Sequence, residues 1–269
     1  MKLKFAALTL AGALMASPAF ATQIIAHRGA SYDAPENTLS SFKLGYKNKA
    51  DACELDIYLS KDGKAVVIHD ADTRRTSGVP GKVVDQTFEE LRKQDIGKFG
   101  KWKDQNFSEK IPLLDEVVAL IPENRRLFIE IKCGPEILPE LGNVIERGKK
   151  KPEQTVIIGF GYETMKAAKE KFPGLEVNWL VQADKKTHAY APVEELITKA
   201  KAAKLDGLDV NSGFPIDKEF VEKVHQAGLK LYTWTVDEPD VARREAEAGV
   251  DGITTNRAGW MREQLAAKP

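Results

Sequence analysis

Two pairs of charged residues sit at i, i+2 spacing inside short apolar runs: Glu54 with Asp56 in residues 53–59, and Glu130 with Lys132 in residues 127–132. Side chains alternate along a strand, so both members of each pair would share one face. Leu55, Ile57, Ile129 and Ile131 would then face the other way. Two carboxylates on one inner face repel and are costly to bury without a cation. Glu130, from a second strand, would supply a third carboxylate. An oxygen-only donor set suits one divalent Mg²⁺ or Ca²⁺ rather than zinc. The competing reading is a set of inner-facing ion pairs, Glu130 with Lys132 foremost. One lysine satisfies carboxylates on two different strands poorly.

Two histidines end other runs: His27, followed by Arg28, and His69. Asp62-Gly63 lies between residues 54–59 and 65–69, a strong short-hairpin signal. Taken as a two-residue turn, it predicts His69 directly opposite Asp56. Two imidazoles, the cations Arg28 and Lys132 and a metal on one cavity suit phosphoryl chemistry. Metal and cations would neutralise charge developing on phosphate oxygens. One imidazole would take the nucleophile's proton and the other would protonate the leaving alkoxide. Trp234 also ends a run and is amphipathic enough to line a substrate pocket, although core packing would place it there equally well. His188 stands in a polar stretch and reads as surface.

Nine β-rich runs must position these groups: residues 24–27, 53–59, 65–69, 127–132, 155–159, 176–181, 207–210, 230–236 and 252–255. Amphipathic stretches at 38–49, 112–121, 162–171, 193–204, 217–227 and 239–248 alternate with them. Such alternation predicts parallel βαβ units, and eight of them in about 250 residues suit a (β/α)₈ TIM barrel. The surplus run is the hairpin partner, residues 65–69 returning antiparallel beside 54–59. A doubly wound sheet would need a Gly-rich turn after the first strand, and His27-Arg28-Gly29 is none. Barrel active sites lie at the carboxyl ends of the strands, where the residues above fall. Residues 70–111 form one long insertion, in which Thr87-Phe88-Glu89-Glu90 is a capping box for a short helix. The insertion is predicted to cap the barrel mouth.

Composition removes several classes. The 269 residues carry 40 Lys+Arg and 40 Asp+Glu, so bulk electrostatic binding of nucleic acid is disfavoured. A 42% hydrophobic and 30% charged chain is neither disordered nor fibrous. Residues 1–21 read as a cleavable signal peptide: Lys2 and Lys4, a short apolar core and Ala19-Phe20-Ala21. The core is short for a membrane anchor. The expected mature protein, residues 22–269, is periplasmic or secreted, with no stable membrane insertion. Cys53 and Cys133 are expected as two free packing residues. With Glu54 level with Glu130, their sulfurs would be offset by about three strand residues, on the order of 10 Å.

Taken together, Ala26-His27-Arg28-Gly29-Ala30, Ala34-Pro35-Glu36-Asn37-Thr38, Glu54-Leu55-Asp56-Ile57, Ser60-Lys61-Asp62-Gly63 and Val66-Val67-Ile68-His69-Asp70 resemble the glycerophosphodiester phosphodiesterases. Ile111 to Glu116, Ile129-Glu130-Ile131-Lys132, Tyr232 to Val236 and Gly249 to Arg257 continue the resemblance over nearly the whole mature chain. It implies a barrel with a small insertion after the hairpin. It also implies one divalent cation at Glu54, Asp56 and Glu130, and His27 and His69 as acid and base. Arg28 and Lys132 would bind phosphate, with Glu36 in support. The chain departs from the family at Asn256, where Asp is frequent, and at Ile158-Gly159-Phe160, where Ser-Phe is common.

The expected activity is exported, metal-dependent hydrolysis of small glycerophosphodiesters to glycerol 3-phosphate and an alcohol. A route through a cyclic phosphate uses the same groups. The alternatives are a lysophospholipase D acting on single-chain lipids, for which the 70–111 segment should form an apolar ramp, and a periplasmic phosphodiester-binding protein without turnover. Binding alone needs no acid–base pair.

Overall fold

Eight strands pair in parallel and close on themselves, with helices between them, as the alternation of runs predicts. The computed structural model describes residues 22–267; the signal-peptide expectation for residues 1–21 lies outside them. In chain order the elements are β1 (Gln23–Ala26), α1 (Leu39–Lys47), β2 (Ala52–Leu59), β3 (Ala65–Val67), α2 (Arg74–Ser77), α3 (Phe88–Lys93), α4 (Leu114–Leu120), β4 (Arg126–Ile131), α5 (Leu138–Gly148) and β5 (Thr155–Gly159). They continue as α6 (Tyr162–Lys171), β6 (Glu176–Val181), α7 (Val193–Ala202), β7 (Gly207–Asn211), α8 (Lys218–Gln226), β8 (Lys230–Trp234), α9 (Pro239–Ala248), β9 (Gly252–Thr255) and α10 (Ala258–Ala266). The sheet order is β1-β9-β8-β7-β6-β5-β4-β2-β3, and a β1–β2 pairing closes the barrel.

Strand alternation divides the core into layers. Ile25, Ala52, Phe128, Val156, Ile158, Leu180 and Tyr232 fill the barrel interior. Leu55, Ile57, Ile129 and Ile131 face the helices, as the i, i+2 spacing of their charged neighbours requires. Each such side chain contributes roughly 1.5–3 kcal/mol by leaving water. Among the described residues no helix is long and apolar enough to cross a membrane.

The hairpin differs from expectation by one residue. Its loop is three residues long: Ser60 N donates to the Lys64 carbonyl at 2.9 Å, and Gly63 takes φ +74°. The ladder pairs Ile57 with Val67, Tyr58 with Val66 and Leu59 with Ala65. Ile68, not His69, therefore lies opposite Asp56, and its N–H donates to the Asp56 carbonyl at 3.0 Å. Asp62 is drawn elsewhere: its Oδ1 accepts from Ser60 Oγ and from the Phe88 N–H at the start of α3. A left-handed glycine after such a turn is the usual three-residue hairpin.

The β2–β4 register also differs. Asp56, not Glu54, is level with Glu130, while Glu54 pairs with Phe128 and Cys53 with Leu127. Cys133 then lies six residues beyond Cys53, on the order of 20 Å along the strands. Both cysteines are free, Cys53 buried in the layer under the helices and Cys133 packed against it.

Helices α5 and α10 were not anticipated. Pro139 sits in the first turn of α5, where it needs no N–H partner. The 70–111 segment begins α3 at the Thr87–Glu90 capping box as expected. It touches the loop after β1 through Arg75 on Glu36 and Lys101 on Tyr32. Val83, Leu91, Ile96 and Ile111 are spent on Val66 and Ile68 of the hairpin, forming a small side core. No residue of 70–111 lines the central cavity.

Candidate active site

The metal-ligand candidates converge. One carboxylate oxygen each from Glu54, Asp56 and Glu130 lies within 4.8 Å of the others, and all three residues are buried. Glu54 Oε2 accepts the Arg28 N–H at 2.8 Å. Asp56 Oδ2 accepts from Asn37 Nδ2 at 2.8 Å and lies 3.4 Å from Arg28 Nε. Lys132 Nζ donates to Glu130 Oε1 at 2.8 Å and stands 3.5 Å from Asp56 Oδ1. The expected Glu130–Lys132 pair therefore exists but does not neutralise the cluster: Asp56 Oδ1 is buried without a hydrogen bond.

The electrostatics agree. Burial, then Asp56 and Glu130, push the Glu54 carboxyl well above the usual range. Burial and Asp56 raise Glu130 to about 7. Burial also acts upward on Asp56, but Arg28 and Lys132 hold its carboxyl low. A proton would otherwise have to fill a site shaped for positive charge. Three hard oxygen donors with one lacking a partner fit Ca²⁺ or Mg²⁺.

The turn after β1 brings the other groups in. Arg28 has φ +52° and Gly29 φ +76°. A Cβ on Gly29 would sit 2.5 Å from Ser41 Oγ, so only glycine lets α1 approach this closely. His27 Nδ1 bonds Asn256 Oδ1 at 2.8 Å. Asp237, an acceptor only, takes the Asn256 Nδ2 hydrogen at 2.5 Å, which orients the amide oxygen toward His27. His27 must then carry its proton on Nδ1, leaving the Nε2 lone pair 4.0 Å from Glu54 Oε2. His69 Nδ1 bonds Asp70 Oδ1 at 2.6 Å, again leaving Nε2 free. Burial and Arg28 bring His27 down to about 4. Burial also lowers His69, against the pull of Asp56.

Glu36 does not touch the cavity. It takes Arg28 Nη1 at 2.9 Å and both terminal nitrogens of Arg75, while Arg75 Nε reaches Asp70 at 2.5 Å. The chain Arg28–Glu36–Arg75–Asp70–His69 thus couples the β1 turn to the hairpin end. His27, Arg28, Glu54, His69, Glu130, Lys132 and Trp234 all line one cavity of about 100 Å³. Trp234 both packs on the barrel interior and forms part of the cavity wall, edge-on to Phe160 at 5.4 Å. His188 is exposed, as expected.

Sequence reasoning assigned no role to Asn37, Asp70, Arg75, Asp209, Asp237 or Asn256. Asn37 and Asp70 stood inside quoted motifs and could have been found there. Arg75 and Asp237 carried no motif signal: Glu36, which takes both terminal nitrogens of Arg75, lies 39 residues from it, and Asn256 lies 19 from Asp237.

The profile of the Glycerophosphoryl diester phosphodiesterase family matches residues 27–259. The chain belongs to this family. A glycerophosphodiester phosphodiesterase of Caldanaerobacter subterraneus subsp. tengcongensis is 36% identical over 240 residues, covering 87% of this chain and 94% of the relative. One from Bacillus subtilis is 32% identical over 248 residues, covering 86% and 82%. Among solved structures, an Oleispira antarctica phosphodiesterase in complex with the product sn-glycerol-3-phosphate superposes with TM-score 0.81 at 26% identity. It covers 92% of this chain and 98% of that one. The barrel with its hairpin is therefore the family's fold, and the enzyme is a phosphoric diester hydrolase.

Proposed function

We propose that this enzyme hydrolyses small, water-soluble glycerophosphodiesters to glycerol 3-phosphate and an alcohol, with one divalent cation held by Glu54, Asp56 and Glu130. The observation that carries this reading is two imidazoles, each with Nδ1 occupied and Nε2 free, on the same cavity as Glu54 and Glu130, with Asp56 crowded behind them. When bound, the cation would neutralise phosphate charge as a Lewis acid. Arg28 and Lys132 bind the remaining phosphate oxygens. Glu36 fixes the Arg28 guanidinium in place.

The two histidines divide the proton work. His27 is backed by the neutral Asn256 amide, which does little to stabilise an imidazolium; it serves as the base toward the nucleophile. His69 is backed by the Asp70 carboxylate, which favours the protonated ring; it serves as the acid toward the leaving alkoxide. The product-bound relative supports the substrate class. The lipid alternative loses its main support, since Val83, Leu91, Ile96 and Ile111 of the 70–111 segment pack into a side core and no residue of the segment lines the cavity. Residues 1–21 are proposed to direct export, and a mature N-terminus at Thr22 would be read by sequencing the secreted protein.

Turnover of glycerophosphocholine, glycerophosphoethanolamine, glycerophosphoglycerol and lysophosphatidylcholine, with and without chelator, tests the function. Glycerol 3-phosphate should appear from the first three and vanish on chelation. Preference for the lysolipid, or full activity without metal, would sink the reading.

A further inference from the structure

Asp209, on β7, is a buried carboxyl for which the proposed mechanism has no use. It is 1% exposed, and its Oδ1 has no hydrogen-bond partner. It also lines the central cavity. Its strand neighbours in register are Leu180 on β6 and Tyr232 on β8, both members of the apolar barrel interior.

The cavity is two-sided. Its charged groups, Arg28, Glu130 and Lys132 among them, come from the β1, β2 and β4 side. The opposite wall, from β5 to β8, is made of Ile158, Leu180 and Trp234, and Asp209 is the carboxyl set among them. Trp234 Nε1 donates to the Asp209 main-chain carbonyl at 3.1 Å, which ties the indole to this strand but leaves the carboxyl free. An unpaired buried carboxyl costs stability wherever it is not used. A phosphate held on the charged side would place one organic arm of its diester along this wall.

We propose that Asp209 takes a free hydroxyl of the substrate's polyol arm, with the carbon chain of that arm lying on Ile158, Leu180 and Trp234. Asp209 is then the residue that selects a glycerol ester over a diester lacking hydroxyls. A hydroxyl fits better than a cationic group. Burial, with Glu130 and Glu176 as the charged neighbours, pushes this carboxyl well above the usual range, and a neutral carboxyl donates and accepts as a hydroxyl does. The assignment rests on the phosphodiesterase reading above and adds to it which end of the cavity reads the alcohol chemistry.

The test compares kcat/KM for glycerophosphocholine with that for propyl phosphocholine, the same diester without the two glycerol hydroxyls. The wild type should prefer the glycerol compound on the order of 10²-fold, because a site built for a hydroxyl leaves its own polar group unpaired with the analogue. In Asp209→Leu the ratio should collapse toward one, whereas Asp209→Asn, which still bonds a hydroxyl, should keep most of it. A ratio is insensitive to general damage; Asp209→Ala serves if the leucine variant does not fold. A wild-type ratio near one overturns the assignment whatever the variants do, and so does a wild-type ratio retained in Asp209→Leu. If the wild type cleaves propyl phosphocholine but not glycerophosphocholine, the parent reading falls as well.

Discussion

The two ends of one barrel treat carboxylates in opposite ways. At the amino-terminal end of the strands, Glu176 accepts from Arg126 Nη2 at 2.5 Å, Lys230 Nζ at 2.6 Å and Tyr232 Oη at 2.8 Å. Burial alone would raise its carboxyl, but Arg126, Asn178 and Lys230 bring it down to about 2. Asp51 at the same end is shared by Arg125 and Arg262. At the carboxyl end, Glu54 and Glu130 are pushed up by burial and by their acidic neighbours, and Asp56 keeps an oxygen without a partner. The residue types are alike; the amino-end carboxylates are half-buried among cations, whereas the carboxyl-end trio is buried and crowded by like charge. Carboxylates surrounded by cations hold the barrel shut, whereas carboxylates crowded together store a demand that a ligand meets.

This contrast can be broken most sharply by one substitution at each end. Glu54→Gln should lower turnover on the order of 10³-fold while leaving the chelated protein at least as heat-stable as the wild type. Glu176→Gln should do the reverse, retaining turnover per folded molecule and losing about 3 kcal/mol of stability, since the largely buried Arg126 would be left beside a neutral amide and the exposed Lys230 would lose its partner. Steady-state kinetics and denaturant melts on both proteins decide it; a stability loss at Glu54 equal to that at Glu176 would erase the distinction.

Within the carboxyl end, the two histidines should separate. General acid assistance is worth about 10²–10⁴-fold and matters least when the leaving group is already acidic. His69→Ala should therefore recover much of its loss on a nitrophenyl phosphodiester, and His27→Ala should not. Equal, unrescued losses would replace separate acid and base roles with shared positioning of the phosphate.

Cation binding sharpens the contrast further. Added Ca²⁺ or Mg²⁺ at about 100 times its Kd should stabilise the wild type by about 2.7 kcal/mol. Thermal melting should show the same shift in Glu176→Gln and none in Glu54→Gln. A shift of equal size in Glu54→Gln would place the ion elsewhere.

The smallest effect is in pH. The lowered Glu176 carboxyl contributes stability that is present above its ordinary value near 4.5 and is lost as pH falls toward about 2. The raised Glu130 carboxyl has the opposite sign. Without a cation, it costs stability above about 7, and that cost is relieved as pH falls toward 4.5. The lowered His27 acts against this, because it loses stability as pH falls from 6.5 toward about 4. Urea melts of chelated protein are therefore compared as differences: the stability gained by Glu130→Gln should grow from pH 4.5 to 7, and the loss in Glu176→Gln should shrink as pH falls from 4.5 toward 2. A Glu130→Gln difference that does not change between pH 4.5 and 7 would show that Glu130 carries no such penalty.

What was legible in the amino-acid order is whatever strand alternation and adjacency encode. The i, i+2 spacing put Glu54 and Asp56 on the inner face with Leu55 and Ile57 behind them, and the same held for Glu130 and Lys132. The count of runs and the Asp62-Gly63 hairpin were enough for a closed eight-stranded barrel with one antiparallel extra. Those features are local, so a chain of short apolar periods determines them without knowledge of what packs where.

Tertiary structure decided everything that depends on how one strand slides past another. The hairpin register turned on where the left-handed Gly63 falls in the loop, and that moved His69 one step off Asp56. The level of Glu130 against Asp56 rather than Glu54 was set by the β2–β4 ladder, in which stagger is a property of the closed barrel and no single run records it. The partners that tune the imidazoles, Asn256 with Asp237 and Asp70 with Arg75, meet only once β9 lies beside β1 and the insertion folds back onto the rim. Asp209 is one polar residue in an apolar run. Only the closed barrel gave it a cavity to face and withheld a partner, because hydrogen-bond satisfaction belongs to the assembled neighbourhood and not to the residue.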